Sequence, residues 1–397
     1  MAEEWLYACL KGLGAIFLHP VFYISILLAI AIGILRVKRE RRDFHIRIYD
    51  SIHELRYLLP LGILWGFILS LITLASGVVL PMAGMILIGA ATFLLALTFR
   101  LRFLSPAYTI GLAFFVLFFV NGRNIELPYV QESFDALKQP IIPAMAILLG
   151  LMLVAEGFLI IRNGSKKVSP SLIVSKRGLT VGSYISKRVW LVPVLTLVPG
   201  GDLPSPFAWW PVFSLGEIHV TPILLPFLIG FAQEVRGRLP IEAISAHGRK
   251  VIVLGIVITA IAAGSHWYNI LALVAVVLAV LGRELIHYFT RLGEEKRPFY
   301  FSRSKLGVRI LGVLPQSPAD KMGLMMGEVI TKVNGIVVRD ELELYEALQK
   351  NRAHCKLEVI GNNEQLRFVQ KALYEGEHHE LGILFVEGMN RHRNRVG

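Results

Sequence analysis

Residues 315–335 read PQSPADKMGLMMGEVITKVNG, and their punctuation is that of a small folded unit. Ser317 is a helix-capping residue type, and Pro318 suits the first helical position because its missing amide is not needed there. Gly323 ends the single turn that these two begin. Val329 to Val333 alternates apolar and polar as a half-buried strand does. Asn334-Gly335 is a strong short hairpin signal, since both residues tolerate positive φ.

Working outward, Val308 to Leu314 reads as a strand. Asp340 begins a helix through about Lys350, with Leu344, Tyr345 and Leu348 on one face at helical spacing. Cys355 to Ile360 and Gln365 to Gln370 read as strands joined by Gly361-Asn362-Asn363, and Leu381 to Val386 as a final strand. These elements predict a compact α+β domain over residues 299–387, followed by a basic tail at 388–397 read as a solvated end.

The rest of the chain is of another kind. The 397 residues are 54% hydrophobic and 18% charged, with mean hydropathy +0.59, where a soluble protein carries roughly 25% charge. Apolar runs of about 20 residues match a hydrocarbon core of roughly 30 Å. The fold class is therefore a polytopic α-helical membrane protein, with a multi-span region over residues 1–290 and a charged linker at 291–298. Spans are expected near 15–35, 58–76, 79–98, 104–121, 140–161, 189–208, 218–234, 250–266 and 267–286, giving seven to nine crossings. The segment from Val189 to Phe231 is crowded with proline and reads either as two kinked spans or as a re-entrant hairpin.

Charge predicts orientation. The net charge is +12, but it is spread between apolar segments rather than gathered for nucleic acid. Arg36–Arg56, Arg100 and Arg102, Arg162–Arg188 and Arg236–Lys250 together hold 20 Lys and Arg. The opposite side holds three: Lys11, Arg123 and Lys138. Basic loops stay in the cytoplasm, so the C-terminal domain is expected there. Trp209 and Trp210 suit the outer aromatic belt. The two cysteines, Cys9 and Cys355, are too far apart in topology for a disulfide or a thiol metal site. Glu156 is an acid inside a span and thus a functional candidate. The bland alternative is that it snorkels or pairs at the cytoplasmic interface.

The ordered set Leu306-Gly307-Val308-Arg309, Val313-Leu314-Pro315-Gln316-Ser317-Pro318-Ala319, Gly323-Leu324, Gly327-Glu328-Val329-Ile330 and Val333-Asn334-Gly335 resembles a bacterial-type PDZ domain. Gln316 and Glu328 depart conservatively from the pattern. The resemblance implies that an extended peptide adds to a sheet edge. Leu306, Gly307 and Val308 would then form a carboxylate-binding loop, with Arg309 starting the receiving edge. Glu341, Tyr345 and Leu348 would face the groove from the helix, Glu341 disfavouring acidic ligand side chains.

The whole-chain layout also resembles the membrane-embedded topological determinants of cell division in Gram-positive rods. That resemblance implies a scaffold at septum and poles that bridges the curvature protein DivIVA to MinD, the carrier of the division inhibitor MinC. It calls for no enzyme activity and no cofactor.

The competing readings are an intramembrane metalloprotease and a transporter. The protease needs two histidines one turn apart beside a glutamate. His53-Glu54-Leu55-Arg56-Tyr57 lacks the second histidine, and His378-His379-Glu380 has the wrong order. A transporter would show broken helices and an internal repeat, and the halves of this chain show no repeat.

Overall fold

The computed structural model describes residues 7, 10–121, 141–203, 220–351, 354–372 and 381–386. Cys9, Arg123, Lys138, Trp209, Trp210, His378-His379-Glu380 and the tail at 388–397 lie outside the described residues.

Proline at the first helical position opens four of the helices of the membrane part. These are α1 (Pro20–Phe44), α2 (Pro60–Ser76), α4 (Pro106–Asn121) and α6 (Pro240–Gly264). Between them lie α3 (Met82–Leu97) and α5 (Ile141–Leu159), and α7 (Ile270–Lys296) follows. Gly77 ends α2 in the left-handed conformation, at φ 63°. Five of the described helices are long and apolar enough to cross a membrane: α1, α2 with the short turns leading into it from Ser51, α5 extended to Gly164, α6 and α7. The other two, α3 and α4, are shorter.

Several expected boundaries move. The basic run from Arg36 is the end of α1, not a loop, because lysine and arginine are good helix formers. The charged stretch from Arg291, read as a linker, is the last turns of α7. There Glu294 accepts from the backbone N–H of Arg236 at 2.8 Å and of Gly237 at 3.0 Å, and pairs with Arg238.

Of the expected spans at 189–208 and 218–234, the described residues, 189–203 and 220–234, are not helices. They fall in the strands β2 (Thr180–Leu203) and β3 (Val220–Val235), which with β1 (Ser169–Val174) make an antiparallel sheet in the order β1-β2-β3. The two segments pair antiparallel, but as strands rather than as helices. Burial on both faces removes the alternation that marks a strand, so an apolar run this long imitates a span.

The prolines hold the physical reason. Pro193 lies directly across from Pro226, Leu197 from Pro222 and Pro199 from Val220. Opposed antiparallel residues either exchange both hydrogen bonds or neither. Proline cannot donate, so the Pro193–Pro226 pair is of the kind that exchanges neither, and every second pair along the ladder shares that state. All four prolines sit on that parity and cost the ladder nothing.

The carbonyls and amides on this parity point out of the ladder, where lipid could not satisfy them. Helix α2 covers them. Gly62 and Gly66 lie against the carbonyls of Leu191 and Pro193, and an added Cβ would sit 1.9 and 2.2 Å from those oxygens. One turn further, the Ser70 hydroxyl accepts from Leu195 N–H at 2.8 Å and the Thr73 hydroxyl donates to Leu195 C=O at 2.8 Å. Leu80 N–H then donates to Leu197 C=O at 2.7 Å. A stripe of small and hydroxyl residues along α2 thus closes the sheet edge. Gly66→Val is expected to push α2 off β2 at a cost of about 1–3 kcal/mol, read as a lower unfolding temperature of the detergent-solubilised protein. The helix pair α5–α6 uses the same device, with Gly157 and Gly248 in mutual contact through their backbone carbonyls.

The C-terminal unit contains β4 (Val308–Arg309), β5 (Gly312–Val313), α8 (Pro318–Lys321), β6 (Val329–Val333), β7 (Ile336–Val337), α9 (Glu341–Lys350), β8 (His354–Ile360), β9 (Leu366–Ala372) and β10 (Ile383–Leu384). Its sheet runs β4-β6-β8-β9 with β7 on β6, while β10 pairs with β5. Ser317 and Asp340 cap α8 and α9 through their side chains. Asn334 and Gly335 turn the β6–β7 hairpin with positive φ, at 51° and 83°. Cys355 is a core residue, and burial pushes its thiol up to about 12.

This unit is docked on the membrane part. Residues alternate between two cores: Ile310, Ile383 and Phe385 pack inside the unit, whereas Leu311, Leu384 and Val386 pack with the membrane helices and sheet. Alternation follows from the pleat, with both faces covered. Phe301 is fully buried beside Tyr184 (ring centroids 5.0 Å), and the Tyr184 hydroxyl donates to the Leu311 carbonyl. Gly182 N–H donates to Phe301 C=O at 2.8 Å, and Tyr300 N–H to Arg236 C=O at 3.0 Å.

Candidate functional site

The edge strand β4 pairs with β6 on one side only, and the first turn of α9 stands near its other side. Between them Gly307, Val308, Arg309 and Glu341 line one cleft, together with Arg339, Ser302 to Ser304, Phe385 and Val386. Gly307 must be glycine here, because a Cβ would meet the Ile330 carbonyl oxygen at 2.2 Å. Leu306 stands exposed at the mouth. Arg303, Arg309 and Arg339 against Glu341 give the cleft a positive balance, which favours a carboxylate. Arg309 itself folds back over the Tyr300 ring, 4.9 Å from its centroid, and donates to the Tyr300 carbonyl.

Two predicted wall residues are placed differently. Leu348 is fully buried in the core of the unit rather than on the cleft wall. Tyr345 is partly buried, edge-on to Phe385 with ring centroids 6.5 Å apart. The cleft is consequently narrow, about 20 Å³, room for one water rather than a side chain.

Sequence reasoning did not anticipate the second wall. Ser302, Arg303 and Val386 also border a cleft of about 400 Å³ whose far side is Gly178, Leu179, Thr180 and Val181, at the β1–β2 turn of the membrane part. The candidate site is therefore a composite of the docked unit and the sheet beneath it. Its only sequence signal is the run of apolar and small residues after Gly178.

Glu156 is fully buried and does not pair with Arg162. Its partner is Arg283 on α7, at 2.7 Å. Ser105 donates to the second carboxylate oxygen at 2.5 Å, and Arg283 Nη1 donates to His247 Nε2 at 3.2 Å. Guanidinium cannot accept, so the ring proton of a neutral His247 is on Nδ1, facing Thr290 Oγ1 at 3.3 Å. Every charge is answered by another element, the mark of a structural tie between α4, α5, α6 and α7. Arg283 was missed in the sequence, although Arg283-Glu284 interrupts an apolar run.

Glu54, from the string considered for a metalloprotease, is likewise committed. It accepts from Arg36 and Arg188, both buried.

A PDZ domain model matches residues 309–360, spanning β4 through β8. The chain is 40% identical over 389 residues to the cell division topological determinant MinJ of Bacillus subtilis (strain 168), covering 98% of this chain and 97% of that protein. It is 26% identical over 386 residues to the probable cell division topological determinant MinJ of Lacticaseibacillus paracasei, covering 94% of this chain and 98% of the relative. No solved structure matches. At that identity, end to end, and with a docked PDZ domain on a helical membrane part, the chain belongs to the MinJ family of cell division topological determinants.

Proposed function

We propose that the chain is a non-enzymatic membrane adaptor for division-site selection, with its PDZ domain in the cytoplasm. It recruits partners at the septum and the poles, bridging DivIVA to MinD and so holding the MinC inhibitor where division must not recur. The observation that carries this reading is the clamp between the PDZ domain and the membrane-embedded sheet through Phe301, Tyr184 and Leu311. A binding domain fixed at constant height on a membrane confines its partners to two dimensions and raises their effective concentration. The cleft of about 400 Å³ beside Val181, which shares Ser302, Arg303 and Val386 with the narrow cleft beside Gly307, offers that binding face. The 20-to-3 bias of basic residues supports the cytoplasmic placement.

The test is a fluorescent fusion of the full chain in a rod-shaped host deleted for its own determinant. Septal and polar foci with suppression of minicells are expected, and deletion of residues 298–397 should disperse the foci. Uniform membrane fluorescence with minicells persisting would overturn the adaptor reading and favour a transporter or protease. A fluorescent protein fused after Gly397 should glow, and alkaline phosphatase fused there should be inactive; the reverse would overturn the orientation.

A further inference from the structure

A cavity of about 450 Å³ opens where α1 leaves its apolar stretch, between that helix, the Phe99–Leu101 turn and the start of β2. One wall is apolar, made of Ile32, Leu35, Phe99 and Leu101. The other carries seven basic side chains against a single lining carboxylate, Glu54. Glu54 is already shared by Arg36 and Arg188. Two further acids stand behind the wall. Glu40 accepts from Ile48 N–H and Ser169, and also faces Arg36 at 3.6 Å. Asp43 accepts from Ser171 and Leu172 N–H and pairs with Arg42.

The terminal nitrogens of Arg36 and Arg188 are spent on Glu54 and on the carbonyls of Asp50, Lys166 and Lys167, but the inner nitrogens are not. Arg36 and Arg188 are 6% and 2% exposed, yet the Nε of each makes no hydrogen bond among the described residues. The Nε of Arg39 is buried and unpartnered as well, and Lys187 and Lys167 add two ammonium groups from the facing elements. Unpaired buried donors of one sign are costly unless an anion meets them.

We propose that this cavity binds the phosphate headgroup of an anionic phospholipid, with Arg39, Lys187 and the unpartnered Nε of Arg188 on the phosphate and the acyl chains leaving along Ile32, Leu35 and Phe99. The amphipathic lining argues for lipid over free phosphate, which would leave the apolar wall wet. Such a lipid would wedge α1 against β2, so headgroup occupancy stabilises the sheet on which the PDZ domain sits.

The experiment is thermal unfolding of the full-length protein in maltoside micelles, supplemented with phosphatidylglycerol, phosphatidylcholine or inorganic phosphate. Phosphatidylglycerol is expected to raise the unfolding temperature well above the other two. Arg39→Gln with Lys187→Gln should weaken that lipid about 30-fold, as two interfacial cations contribute about 1 kcal/mol each. Lys176→Gln with Arg177→Gln removes the same charge at the β1–β2 turn, outside the cavity, and should change nothing. If the double cavity variant unfolds without lipid, Lys187→Gln alone, on an exposed strand position, should still lose several-fold. Equal stabilisation by phosphatidylcholine, or equal loss in the Lys176/Arg177 control, would overturn the site. Equal stabilisation by inorganic phosphate would overturn the lipid assignment.

Discussion

Glu156→Ala is expected to destabilise the membrane part by about 3–5 kcal/mol, the usual cost of leaving one member of a buried ion pair alone. Arg283 sits at 4% side-chain exposure, with its guanidinium divided between Glu156, Ser105 and His247. Without the carboxylate its charge, almost wholly buried, faces only Ser105 and a neutral imidazole. Arg283→Ala should do comparable damage, since Glu156 would keep only the Ser105 hydroxyl. The informative variant is the double one. Glu156→Met with Arg283→Leu removes both charges at similar volume and is expected to recover most of the loss, as buried pairs often contribute little net stability over apolar packing. Thermal unfolding in detergent reads all three. If the double variant localised normally, the tie is structural. If it folded but mislocalised or lost function, Glu156 would have a role beyond holding four helices together.

Phe301→Ala is expected to release the PDZ domain from the sheet. Burying a phenylalanine is worth about 3–5 kcal/mol by truncation, and here that loss falls on the joint. Phe301 belongs to the core of the membrane part, while Ile310, Leu344 and Leu357 hold the PDZ domain by themselves. The domain should therefore stay folded while its attachment weakens roughly a hundredfold or more. Limited proteolysis should cut between residues 297 and 305 in the variant and leave a resistant fragment beginning there. An unchanged cleavage pattern would show that the remaining contacts, the Tyr184–Leu311, Gly182–Phe301 and Arg236–Tyr300 hydrogen bonds and the packing of Leu311, Leu384 and Val386, hold the joint without the Phe301 ring. Under the proposed function, foci should also blur, because a freed domain samples all orientations above the membrane.

Much of the PDZ domain was legible because its signals are local. Ser317, Asp340 and Asn334-Gly335 act within three or four residues of themselves, so the caps and the hairpin stand where the sequence places them. The membrane class was legible for a similar reason, since span length is set by the bilayer and not by neighbours. The β2–β3 hairpin was not. Val189 to Val198 and Val220 to Phe231 carry apolar residues on both faces, and two opposite faces are indistinguishable from a helix apolar all round. A trace was present: Pro193 and Pro199, and Pro222 and Pro226, are each an even number of residues apart, as a shared ladder edge requires. Leu348 illustrates the opposite error. Helical spacing puts it on a face, but only packing says whether that face meets a ligand or the core.

By itself the sequence determined where the chain is lipid-soluble, where positive charge gathers, and that a PDZ domain follows the last apolar helix. Those properties follow from composition and short-range geometry, which no distant residue can alter. Tertiary structure alone decided that two apparent spans are strands sealed by α2, that Glu156 answers Arg283 across 127 positions, and that the PDZ domain is seated on the sheet by Leu311, Leu384 and Val386, each beside a neighbour that packs inside the domain. Each of these depends on which surfaces meet, and a buried polar or edge group takes whatever distant partner the packing brings.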